Sequence, residues 1–484
     1  MVVKSTFMHD SKLIRYLKIL DEAELKRLLY FLKSPFYNAN PHILKLYMLL
    51  RPEHPGFSSP KLTRERLFKK LFRDRAYDHQ KMLNLMSDFT QLLEKYMIAL
   101  QLEKEEDMQD QLLLTSFGER PEGYAAFEKT AERIGQKRDA LPYRDTGYYR
   151  RKFQLGQQYF NHPATDKFEL SKDRYDDAME QLDRWFILEK LLLSCEMKAR
   201  EKPLSEEYEI WLLPEIRAGL PPYPMQDAIT GVYLEMLDLL EKEEPDSYYR
   251  LKALFMENLT RFTRQQQQNV LQSLINYTIR EGNRGNKPFL QENLALYRLG
   301  LESGLFQEGG LLNDMVYISV VNVANRAGET AWCGHFIRDF EPALEQSIRK
   351  DASALARALW LYASQKPEET MALLQKVEFL NIYYQIQARV LMIKVCFEAF
   401  RKDDHYQELV VSLADAFRQF LRRNKRVSRS QKEALLNFAL CVGQLAKWRT
   451  DPGFDRQKRV ELKQEWNSLT PLYNKTWILQ QTDR

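Results

Sequence analysis

Cys333-Gly334-His335 is the one place in the 484 residues where a thiol and an imidazole stand within two positions of each other. A cysteine nucleophile needs its base within hydrogen-bond reach. On a helix, residues two apart lie about 200° apart around the axis, so these two side chains are expected on nearly opposite faces, without joint chemistry. None of the seven histidines (His9, His42, His54, His79, His162, His335, His405) stands in H-E-x-x-H or another spacing that offers a metal two ligands on one helical face. Asp403-Asp404-His405 reads as a turn leading into a helix, where carboxylates suit the positive end of the helix dipole.

The loop from Glu281 to Lys287 (Glu-Gly-Asn-Arg-Gly-Asn-Lys) has the glycines of a phosphate cradle. It lacks both the Lys-Ser/Thr ending and the preceding strand, and is expected to stop a helix with left-handed Gly and Asn. No G-x-S-x-G occurs. The four cysteines (Cys195, Cys333, Cys396, Cys441) are widely spaced without a C-x-x-C pair, and read as buried small apolar residues rather than disulfide partners or zinc ligands. With no acid–base pair, metal set or cofactor motif to nominate, the sequence assigns no catalytic residue, metal or cofactor. It reads as a protein that binds rather than catalyses.

Charge offers a second kind of chemistry. The net charge is only +5, but residues 1–104 carry 19 Lys and Arg against 11 Asp and Glu, and residues 417–463 carry 13 against 4. The remainder is therefore −12, and the charge is polarised along the chain. Such blocks steer anionic partners to the ends, or let acidic and basic parts of two copies meet in a homo-oligomer; the bland alternative is solubility. The densest basic piece is Arg422, Arg423, Lys425, Arg426, Arg429 and Lys432, across a helix end, a short break and the next helix start. These six are the candidate contacts for an anionic partner. Cations at a helix C-terminus are also favoured by the dipole alone, by about 0.3–1 kcal/mol each, and no interleaved aromatic platform accompanies them.

The elements that must position these residues are helices. Apolar side chains recur at steps of three and four in Ile229, Val232, Tyr233, Met236, Leu237, Leu240; in Met82, Met86, Phe89, Leu93, Tyr96, Leu100; and in Tyr383, Ile386, Val390, Ile393, Phe397, Phe400. Start signals agree: Asp21 before Glu24, Ser428 before Gln431, Asn40 before Pro41. Val316 to Val323 is β-branched enough to alternate as a strand, but its helical neighbours favour helix. From about residue 120 onward, helices pair across short breaks such as Gly309-Gly310, Gly328 and Lys366-Pro367, with first helices near 265, 310, 350, 382 and 428. Apolar residues at 44% against charged residues at 29% leave enough to bury for a folded chain.

The fold class expected is all-α: an irregular α-solenoid of antiparallel helix pairs with an N-terminal helical module. The division is a basic module over 1–110, central hairpin repeats over 120–345, tetratricopeptide-like repeats over 346–470 and a tail over 471–484. Lys4, Lys12, Arg15 and Lys18 interrupt any signal-peptide core, and the longest apolar run, Trp185–Leu188 with Leu191–Leu193, falls far short of the roughly 20 residues of a membrane span. A cytoplasmic location without a membrane span is expected.

Ala358-Leu359-Trp360-Leu361-Tyr362-Ala363 followed by Pro367 to Leu374 resembles a degenerate tetratricopeptide unit. Phe31-Leu32-Lys33-Ser34-Pro35-Phe36-Tyr37-Asn38, Met86-Ser87-Asp88, Trp332 with Phe336-Ile337, and Phe420-Leu421-Arg422-Arg423-Asn424-Lys425 follow one another in an order that resembles an uncharacterised bacterial family of long all-helical, tetratricopeptide-like repeat proteins. That resemblance implies the fold and carries no site residues. Leu62 to Phe68 followed by Lys81 to Tyr96 is similar to the helices of a winged-helix module, but Met97 to Leu114 reads as continuing helix where a wing needs two strands, so a helical cap is expected there. The leading function is a non-enzymatic scaffold that presents a helical groove to a protein partner. The alternative is a nucleic-acid-associated protein or regulator using the basic module and the Arg422 to Lys432 region.

Overall fold

The computed structural model describes residues 8, 10–73, 75–163, 172–204, 206–220, 228–448 and 456–482; Lys4, His9 and the last two residues of the tail lie outside them. Among the described residues the chain forms 23 α-helices and one two-stranded hairpin, so the all-α class is established. No helix among them is long and apolar enough to cross a membrane. The chain divides into two compact units, Met1–Ala140 with Gln154–Ala178, and Leu141–Phe153 with Met179–Arg484.

The first unit is built on one long helix. α1 (Lys12–Lys18), α2 (Glu22–Lys33), α3 (Pro41–Leu50) and α4 (Arg64–Leu71) each pack against α5 (His79–Leu102), whose stripe Met82, Met86, Phe89, Leu93, Tyr96 and Leu100 is buried as the spacing requires. Polar ends are satisfied within this core: the hydroxyls of Tyr96 and Tyr47 donate to the carbonyls of Glu24 and Leu25. Asp21 and Glu24 close a reciprocal capping box at α2, and the Asn40 side chain caps α3 ahead of Pro41. The expected continuous helix through Met97–Leu114 is instead interrupted. α5 stops at Leu102, and α6 (Glu106–Gly118) begins after a turn in which Glu105 leaves the helical region and the Gln109 side chain donates to the Leu102 carbonyl. No strand is described between residues 8 and 118, so the elements of a wing are missing from that stretch. Between α6 and α7 (Tyr124–Asp139), a smaller core gathers Leu114, Phe127, Ala131 and Ile134. α8 (Thr146–Phe160) and α9 (Lys172–Leu204) each have residues in both units, and α10 (Leu213–Gly219) belongs to the second.

In the second unit, helices pack on their successors: α11 (Ala228–Lys242) on α12 (Pro245–Glu257), α13 (Arg264–Asn283) on α14 (Pro288–Glu302), α15 (Asp314–Arg326) on α16 (Thr330–Phe340), and α17 (Gln346–Ala363) on α18 (Pro367–Lys376). α19 (Ile382–Phe400) packs on α20 (Gln407–Arg423), which packs on α21 (Arg429–Trp448); α22 (Arg456–Ser468) and α23 (Lys475–Thr482) follow. The β-branched run at 316–323 is helical, because its side chains reach a core on several sides at once: Ile318, Val320 and Val321 are all fully buried. Asn313 starts that helix by accepting from the backbone of Met315 and Val316. Between α14 and α15, β1 (Gln307–Glu308) pairs antiparallel with β2 (Leu311–Leu312), turning on Gly309 and Gly310, both at positive φ as a tight hairpin demands.

Phe89 is fully buried, with its ring edge-on to Tyr47 at 6.2 Å. Phe89→Ala is expected to destabilise the first unit by about 3–5 kcal/mol in urea denaturation; a loss below about 1 kcal/mol would contradict the burial described.

Candidate functional site

Cys333 and His335 leave α16 in different directions. The thiol is buried, points toward the Val321 carbonyl at 3.9 Å and is pushed up to about 12 by loss of solvation, while the exposed imidazole accepts from Arg338 at 2.8 Å. Cys195, Cys396 and Cys441 are likewise buried thiols raised by desolvation. Asp403 accepts from both the backbone and the ring of His405 ahead of α20, which lowers the carboxyl and raises the imidazole at a fully exposed turn. The Glu281 to Lys287 loop ends α13: Asn286 N–H donates to the Glu281 carbonyl at 3.0 Å and Gly285 to Gly282 at 3.3 Å. Only the glycine adopts the left-handed conformation there, at φ 96°; the asparagines expected to share it do not.

The structure gathers the six sequence-nominated cations at the corner between α20 and α21. Arg422 and Arg423 close α20, Asn424 caps it, and Arg429 opens α21. Arg422, Arg423, Lys425, Arg426 and Arg429 are exposed and form no ion pair among the described residues. Lys432 is different: half-buried, it donates to the Asn424 carbonyl at 2.7 Å and so caps the preceding helix. Leu380, Ile382 and Gln385 complete a cleft of about 340 Å³ beside Arg423 to Arg426. The nearby Phe420 ring carries the Arg389 guanidinium over one face at 4.4 Å.

Three arrangements were not nominated from the sequence. In the first unit a cleft of about 460 Å³ brings Arg73, Arg75 and Lys81 around His42, whose imidazole is held below its ordinary range by burial and by Lys45, Lys81 and Arg75. In the second unit Lys394 of α19 lies half-buried, its ammonium 5.3 Å above the Trp477 ring. Desolvation brings it down to about 8, with Arg326 adding to the fall and Glu398 opposing it. Glu398 accepts the Tyr362 hydroxyl at 2.5 Å. A lysine amid the apolar stripe of α19 was the available sequence signal; nothing in the sequence placed Trp477 against it.

The third arrangement is an open groove of about 880 Å³ formed by α13, the β1–β2 hairpin and the first turns of α15 and α17. The Phe306 ring that lines it packs closely on Gly300 of α14, where a Cβ would clash with the ring. Ile279, Leu311 and Met315 are 38%, 46% and 44% exposed along it, three large apolar side chains turned outward within one concavity. Among the described residues no group of three or more His, Cys, Asp and Glu is placed to hold a metal ion.

Titration of Lys394 by NMR after isotopic methylation is expected to give a midpoint near 8, against about 10.4 for exposed lysines; a midpoint at or above about 10 would remove the desolvated environment described. Comparison with known proteins returned no matching family model, no matching curated protein and no matching solved structure.

Proposed function

We propose that this chain is a non-enzymatic scaffold: its helix pairs stack as an irregular, tetratricopeptide-like solenoid, and a segment of a partner protein lies on the resulting surface. Support for the stacking comes from helices two apart in sequence: α15 packs on α17, and α17 on α19, besides the successive pairs. Side-by-side alternate helices are what a repeat array requires. The resemblance to long helical-repeat proteins points the same way.

The observation that carries the reading is the groove with exposed Ile279, Leu311 and Met315. Solvated apolar side chains gathered in one depression mark an interaction site better than the same residues scattered. Reactive groups, in contrast, are engaged elsewhere: the thiols are buried and raised, and His405 pairs with Asp403 at the surface. Four buried free cysteines fit a reducing compartment, and the cytoplasm is the proposed location.

A second reading, contact with nucleic acid, rests on the five exposed cations at the α20–α21 corner and on the Arg73, Arg75, Lys81 cleft. Affinity capture from the native cells with and without nuclease separates the two. The scaffold reading expects protein partners to persist after nuclease and to survive Arg422→Glu with Arg423→Glu, Lys425→Glu and Arg426→Glu. Loss of all partners on nuclease treatment, together with a steep fall in binding as salt rises, would reverse the ranking, because each neutralised phosphate releases counterions.

A further inference from the structure

The groove has a one-sided electrostatic character. Glu308 of the hairpin, Asp314 at the start of α15 and Glu345 just ahead of α17 all line it, whereas Arg264 and Arg349 beside it hold their guanidinium groups against backbone carbonyls, those of Gly304 and Gln307 and of Pro342 and Leu344. None of the three carboxylates pairs with a cation among the described residues. Glu308 and Glu345 are exposed. Glu345 accepts only the Ser347 hydroxyl at 2.7 Å, and half-buried Asp314 accepts the Tyr384 hydroxyl.

An acidic occupant has one attraction to weigh, the N-terminus of α15, whose orphan amides and dipole favour anions. That site is already partly occupied by the chain itself. The Asn313 side chain accepts from Met315 and Val316 N–H at 2.9 and 3.2 Å, and Asp314 supplies a negative charge to the same turn. A carboxylate entering here meets three of its own kind at a helix end whose second and third amides are already engaged, whereas a cation meets three acceptors.

Resting on the scaffold reading, we infer that the occupant of this groove is a basic amphipathic segment of a partner protein. Its apolar residues seat against Ile279, Leu311 and Met315, and its Lys or Arg side chains reach Glu308, Glu345 and Asp314. The apolar contacts supply affinity, and the carboxylates select the sign of the partner and speed its arrival. The size of the groove suits a few side chains rather than a whole domain face.

The test uses the full chain and three fluorescent 18-residue peptides with leucine at helical spacing and Lys, Gln or Glu at the remaining positions. The Lys peptide should bind tightest, the Gln peptide several-fold more weakly, and the Glu peptide not at all. Glu308→Lys with Glu345→Lys should weaken the Lys peptide by roughly 10-fold or more while leaving the Gln peptide nearly unchanged. Leu311→Asp is the diagnostic variant. It adds a negative charge, so diffuse attraction of a cationic peptide would strengthen, whereas docking in the groove must weaken. All these positions are exposed, and circular dichroism of each variant checks that the fold is kept.

Equal binding of Lys and Gln peptides, unaffected by the double Glu→Lys change but lost in Leu311→Asp, would overturn the charge inference and leave the scaffold reading standing. Binding of every peptide unchanged by Leu311→Asp would overturn both. Self-association of the chain without peptide, abolished by Leu311→Asp, would make a second copy the occupant and overturn the inference of a separate basic partner.

Discussion

Helix α17 has to satisfy four neighbours at once, and the second unit is arranged around that demand. α15, α16, α18 and α19 all pack on it, and every residue from Ala352 to Ala356 is buried, as is Ala358. Between Ala352 and Ala358 only Arg357 is exposed, so this part of the helix keeps little of the polar face of an ordinary surface helix. Ala352, Ser353, Ala354, Ala356 and Ala358 keep its girth small enough for neighbours to approach, and Leu355 fills what remains. The beginning of the same helix then emerges at the groove, so Glu345 and Ile348 are positioned by the packing behind them.

Burial also decides which chemistry each group retains. A thiol inside the core keeps its proton, so Cys333 contributes volume rather than a nucleophile. Lys394 meets the same desolvation with the opposite consequence, since its charged form is the one penalised. The cations at the α20–α21 corner lie at the surface, while Lys432 beside them is drawn into holding a helix end. A run of six basic residues is therefore two populations: five exposed charges and one structural cap.

Helices were legible wherever a single face carries the information. The stripes of α5, α11 and α19 and the caps at Asp21, Asn40 and Ser428 are short-range patterns, and the folded chain uses each of them. The pause at residues 103–105 was not legible, because apolar spacing continues across it while the turn is made by backbone geometry and the Gln109 side chain. Nor was the hairpin: two residues per strand are too few to alternate, so Gly309-Gly310 reads simply as a break. The basic corner was visible because its members are adjacent in sequence. The groove was not, since Gln268, Leu311, Asp314 and Glu345 come together only once α13, α15 and α17 have packed.

The proposed binding surface lies between residues 268 and 348, where this packing leaves a groove open. Hydrogen exchange on the full chain, alone and saturated with a partner that copurifies after nuclease treatment, tests it most directly. New protection is expected in the β1–β2 hairpin and the first turns of α15 and α17, with the α20–α21 corner unchanged. Protection confined to residues 417–463, with the hairpin exchanging as in the free chain, would contradict it.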